Sequence, residues 1–115
     1  MTWFRCGGSN VKALINPDDF LIDTFIIPST GGEGTTVGWR ATPFISVNPD
    51  EVLSVAAKSV GNNYFSWYDE NQVWLRSFSL SDYGYVMLTI PSDAYYVRFS
   101  NQEANMQHLQ VWRGL

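Results

Sequence analysis

The sequence predicts an all-β domain of antiparallel strands, folded as a β-sandwich or barrel. Three observations carry this expectation. Short runs rich in Val, Ile, Phe, Tyr and Trp recur about every ten residues, separated by clusters of Pro, Gly, Asn and Asp. No stretch sustains a helical period between capping residues. Aromatic residues make up 16% of the chain, with five Trp, and charged residues are also only 16%. That balance suits pleated, half-buried surfaces. It also suits a chain that hides surface against copies of itself.

The elements follow in order. Residues 1–15 are expected to form an arm or a first strand, and residues 16–115 a single sandwich domain. In the arm, Trp3 and Phe4 precede a Gly7-Gly8 break, and 10–15 (NVKALI) has strand composition. Asn16-Pro17-Asp18-Asp19 is a turn, because proline presets the first turn dihedral and Asn or Asp bonds nearby backbone. Phe20 to Ile27 is β-branched and aromatic, a strand expected to be covered on both faces. Residues 29–36 (STGGEGTT) read as a loop. Val37 to Arg40 leads to a strand at Pro43 to Val47. Asn48 to Glu51 turns the chain, and Val52 to Ala57 returns it. After a break at Gly61-Asn62-Asn63, the central hairpin pairs Tyr64 to Tyr68 with a strand beginning at Val73, across Asp69-Glu70-Asn71. Asp82-Tyr83-Gly84 is a further turn, Tyr85 to Ile90 a strand, and Pro91-Ser92-Asp93 its stop. Tyr95 to Ser100 alternates, and Leu109 to Arg113 is the last strand. The expected core is Ile45, Val47, Val55, Phe65, Trp67, Leu88, Ile90, Val97 and Phe99.

Charge narrows the partners. The net charge is −4 and the acids are scattered, whereas nucleic acid needs clustered Lys and Arg. No segment has the basic amphipathic pattern of a membrane-surface helix, the length of a membrane span or the pattern of a signal peptide. The single cysteine, Cys6, excludes an intrachain disulfide and is compatible with synthesis in a reducing cytosol.

The runs PFISVNPDE, VLSVAA, YFSWYDENQVWLRSFSL and TIPSDAYYVRFS resemble, in that order, a module that recurs in phage tail, baseplate and tail-fibre proteins. The matching positions are Ile45, Val47, Pro49, Trp67-Tyr68-Asp69, Ile90-Pro91, Ala94, Tyr96 and Arg98, and the likeness covers about residues 37–100. It implies an antiparallel, jelly-roll-like β-sandwich without enzymatic activity. It also implies a virion location, a homo-oligomer (a trimer, as in tail fibres) and other virion proteins as partners. The same pattern occurs as a carbohydrate-binding-like domain of secreted bacterial proteins, which is the alternative. The lack of a signal-peptide pattern favours the virion.

Catalytic readings are weak. His108 and Cys6, the single residues of their kinds, stand at opposite ends of the chain with no nucleophile motif around either. The carboxylate pairs Asp18-Asp19, Asp50-Glu51 and Asp69-Glu70 sit in turns, where turn chemistry accounts for them. Asp18, Asp19, Asp23, Glu33 and Asp93 are the acids available to a hard cation, but solvated turn acids are the simpler reading. No metal or cofactor is expected. The remaining lead is aromatic. Strand alternation places Tyr68, Trp74, Arg76, Tyr96 and Arg98 on an outward face mixing flat rings with forked donors. Such a surface suits cell-surface polysaccharide, whose sugars stack on rings. Core or subunit-interface residues have the same composition.

Overall fold

A computed structural model describes residues 3–6, 9–57, 64–78 and 84–114. The expected breaks at Gly7-Gly8, Gly61-Asn62-Asn63 and Asp82-Tyr83 lie outside the described residues.

The fold is an antiparallel β-sandwich. β1 (Trp3–Cys6) and β2 (Ser9–Lys12) pair as a small sheet of their own. A 3₁₀ turn at Pro17–Asp19 follows, started by the Asn16 side chain, which accepts from the Asp18 N–H at 3.0 Å. The larger sandwich sheet runs β3 (Leu21–Ile26), β4 (Glu33–Ala41), β10 (Tyr96–Gln102), β7 (Tyr64–Tyr68) and β8 (Trp74–Phe78). The two-residue β5 (Ile45–Ser46) continues the line of β4 beside β10. The smaller sheet runs β11 (Gln110–Arg113), β6 (Val52–Ala57) and β9 (Gly84–Thr89). The chain passes repeatedly from one sheet to the other, so sequence neighbours cover each other's inner faces.

The core lies between the sheets. Phe65, Trp67, Val97 and Phe99 come from the larger one, and Leu53, Val55 and Val111 from the smaller. Ile45, Val47 and Ile90 join them, and Leu88 packs against the cluster while half-buried. All the expected core positions therefore face the interior. Rings organise the centre. Trp67 stacks on Phe78 with centroids 5.1 Å apart, and Phe65 meets Phe99 edge-on at 4.5 Å.

Several element boundaries differ from expectation. The strand at Leu21–Ile26 is an edge with Ile22 69% exposed, so it is not covered on both faces. Half of the glycine-rich stretch at 29–36 is strand, because β4 begins at Glu33 and the turn is confined to residues 27–32. In that turn the Ile27 carbonyl accepts from Thr30 and Gly31, and the Gly32 carbonyl accepts from Ile27. Val73 belongs to the hairpin turn, where the Asp69 carboxylate accepts from the N–H groups of Asn71 and Val73. A one-turn helix, α1 (Glu103–Met106), joins β10 to β11 and was not expected.

The outer face of the smaller sheet carries Val52, Ser54 and Ala56, Tyr85, Met87 and Thr89, and Gln110 and Trp112. None of these is charged. Tyr85 and Met87 are about half exposed, at 52% and 53%. The Tyr85 ring tilts against Trp112 at 5.5 Å, and its hydroxyl lies 3.0 Å from that of Ser54.

Candidate functional site

The predicted aromatic and arginine surface does not exist as one exposed face. Tyr68 is 2% exposed and Arg98 3%, which corrects their expected outward, solvent-facing placement. The strand alternation holds, for Tyr68 stands opposite Tyr96 and turns away from Trp67 and the core. What alternation could not reveal is that this second face is also covered. The turn at 27–32 and the break between β4 and β5 lie over it. The Tyr68 hydroxyl donates to the Gly31 carbonyl at 2.6 Å. The Arg98 Nε donates to the Thr42 carbonyl at 2.9 Å and its Nη2 to Glu33 Oε2 at 2.8 Å. The Phe44 ring sits 4.8 Å from the Arg98 guanidinium carbon and meets Tyr68 and Tyr96 edge-on, at 4.8 and 5.9 Å. Burying a charge is unfavourable unless it is paired and hydrogen-bonded, and Arg98 is both. Burial pushes the Tyr68 phenol above its ordinary pKa, against the opposing pull of the Arg98 charge.

The other three residues separate. A bulge shifts the β7–β8 register between Trp67 and Tyr68, so Tyr68 opposes Trp74 while Trp67 opposes Arg76. The extra residue turns Trp74 and Arg76 toward opposite faces, which corrects their placement together. Trp74 packs on Gly31 and donates from Nε1 to Ser77 Oγ at 3.2 Å. Arg76 lies toward the sandwich side, half exposed, and holds both Asp93 oxygens from Nη2, at 3.0 and 3.1 Å. Tyr96 is half-buried beside Phe44.

The acids have structural partners. Asp23 accepts from the Gly38 N–H at 3.0 Å and lies 3.5 Å from Arg40, which also pairs with Glu103 at 2.8 Å. Glu33 and Asp93 are committed to Arg98 and Arg76. Among the described residues, no three His, Cys, Asp or Glu residues converge as a metal site would require. His108 is exposed after α1, far in the chain from Cys6 of β1.

Two concave features remain among the described residues, a cavity of about 250 Å³ between Phe20, Ile22 and Met106 and one of about 310 Å³ at the margin of the sandwich. In the larger, Phe20, Phe44 and Ile45 form apolar walls, and Asn16, Asp19 and Arg113 supply polar groups. Three distant segments build it. The Asn16-capped 3₁₀ turn presents Asp19 and Phe20. The irregular stretch between β4 and β5 presents Phe44. The end of β11 presents Arg113, whose Nη2 donates to the Ser46 carbonyl at 3.3 Å. Among the described arginine side chains, those of Arg40, Arg76 and Arg98 each hold a carboxylate, whereas Arg113 has none. The sequence offers Asp19 as a turn acid and an acid available to a cation, and Arg113 as the end of the last strand, with nothing to join the two. No local motif links residues so far apart in the chain. Compared with protein-family models, curated proteins and solved structures, the chain matches none.

Proposed function

We propose that this chain is a non-catalytic attachment module of a phage virion, in the tail, baseplate or fibre, and that it takes one neutral saccharide unit in the cavity beside Phe20 and Phe44. The virion setting rests on the sequence resemblance, and the observation that supports the saccharide site is the lining. A guanidinium and a carboxylate, Arg113 and Asp19, stand among aromatic and aliphatic walls. Their formal charges cancel, so an anion meets Asp19 and a cation meets Arg113. A neutral ring bearing both donors and acceptors satisfies each. Sugar hydroxyls donate to the carboxylate and accept from the guanidinium and the Asn16 amide, while the apolar face of the ring lies against a phenyl group. A volume of about 310 Å³ is at the small end for ligand sites and fits a single unit better than a chain. Affinity at one such site is weak, and repetition of the module in a virion raises it through multivalency.

Titration of the purified protein with neutral and acidic methyl glycosides, followed by protein-observed NMR, tests this reading. A neutral glycoside is expected to bind at millimolar concentration. Arg113→Ala removes a charged hydrogen-bond donor and should weaken binding about tenfold, while Arg76→Ala, outside the cavity lining, leaves it unchanged. If no neutral glycoside binds, or if Arg113→Ala binds as well as the parent, the saccharide reading is wrong.

A further inference from the structure

We infer that β9 is a dimerisation edge, along which two copies of this chain join their smaller sheets across a twofold axis. The inference does not rest on the saccharide reading.

It starts from the edges. An exposed strand edge presents unpaired N–H and C=O groups, and proteins blunt such edges with bulges, charges, short strands or covering chain. Among the described residues, the two sandwich sheets follow this rule at every edge but one. β3 is broken by a register shift at Asp23, whose backbone has φ of 56° and whose carboxylate holds the Gly38 N–H. β8 carries a bulge and the Arg76–Asp93 pair. β5 is two residues long. β11 is met by the chain leaving β2, where the Leu14 N–H donates to the Val111 carbonyl at 2.8 Å.

Among the described residues, β9 has none of these devices. It pairs with β6 in unbroken register from Val52↔Thr89 to Ala57↔Gly84. Among the described residues, no strand pairs with its other edge. From Gly84 to Thr89 it contains no charged residue and no proline. Its outward side chains include Tyr85 and Met87, both about half exposed.

A second copy fits this edge for two reasons. Each chain carries a net charge of −4, so self-association needs a contact free of like charge. The β9 edge and the sheet face beside it supply one. The strand is also self-complementary when antiparallel. A twofold axis at Met87 keeps all of Tyr85–Thr89 paired, with Met87 of one copy opposite Met87 of the other and Tyr85 opposite Thr89. An isologous contact of this kind closes at two subunits. It makes a dimer, whereas the phage-fibre resemblance implies a trimer.

Light scattering and sedimentation of the full chain across micromolar concentrations provide the test. The parent should be a dimer. Met87→Lys places like charges opposite each other across the axis, which should weaken association more than about tenfold. Met87 lies on an outer face, so circular dichroism should be unchanged. Met87→Glu should behave in the same way, and mixing the two variants should restore the dimer. A monomeric parent, a trimer, undiminished association of both charged variants, or a mixture that stays monomeric would each overturn the proposal.

Discussion

Arg98 and Tyr68 show how residues with the composition of a binding surface act instead as internal fasteners. Each reaches from the larger sheet to the segment that covers it, Arg98 to Thr42 and Glu33 and Tyr68 to Gly31. Removing the Tyr68 hydroxyl leaves the Gly31 carbonyl without that donor in a buried setting. Tyr68→Phe is therefore expected to lose about 1–2 kcal/mol in urea melts at neutral pH. The pH dependence has a definite sign. Because burial raises the folded-state pKa of Tyr68 above the ordinary phenol value of about 10, the folded state above that pH retains a proton that the unfolded state has released. Stability from this group is fully present below about pH 10 and is lost as pH rises through the folded pKa. The gap between parent and Tyr68→Phe should thus narrow in melts repeated above about pH 10. A constant gap would show that the phenol titrates as freely as in the unfolded chain. The sequence showed which residues share a face, because alternation is local. It could not show that the face is roofed, because the roof comes from residues 27–44, and Gly31 and Tyr68 are 37 positions apart.

At the scale of the element, glycines explain why a stretch with loop composition becomes a strand and a tight turn. A Cβ on Gly34 would fall 2.4 Å from the Phe25 ring, so glycine lets β4 pass close over its partner strand. Gly31 has φ of 69°, and a Cβ there would fall 2.2 Å from the Trp74 ring. Gly38 has φ of 88°, but a Cβ there meets nothing within 4 Å. The pair separates two effects. Gly38→Ala carries only the backbone penalty of the left-handed region, about 1 kcal/mol. Gly31→Ala adds the displacement of a packed indole and should cost about 1–3 kcal/mol more. Denaturant melts of both variants check this, and equal losses would mean that Trp74 yields without cost. Composition alone predicted a loop at STGGEGTT, since glycine and threonine serve turns and close-packed strands alike. The Phe25 ring, which decides between them at Gly34, is nine positions away. The β8 bulge was equally hidden. Strict alternation over Trp74 to Phe78 grouped Trp74 with Arg76, and one extra residue parts them.

For the whole molecule, the hydrophobic pattern was the most legible feature, because burial on one face of a strand repeats every second residue and leaves a periodic record. Val97 and Phe99 on β10, Phe65 and Trp67 on β7, and Val55 on β6 were readable in this way, and they meet as one cluster. The cavity and the open edge left no such record, since each arises from how separate strands are placed. The core also sets the most severe stability test. Trp67 is buried on the interior strand β7, stacks within 16° of parallel on Phe78 and stands opposite Val97 of β10. Its neighbours come from both sheets, so they cannot close over the missing indole without moving the sheets together. Trp67→Ala should therefore lose the transfer free energy of the ring and gain a cavity term, about 3–5 kcal/mol in total. Trp67→Phe keeps a ring against Phe78 and should lose less. The urea m-value should stay near that of the parent if only the native packing changes. A loss below about 1 kcal/mol for Trp67→Ala would mean that the two sheets are not held together through this ring.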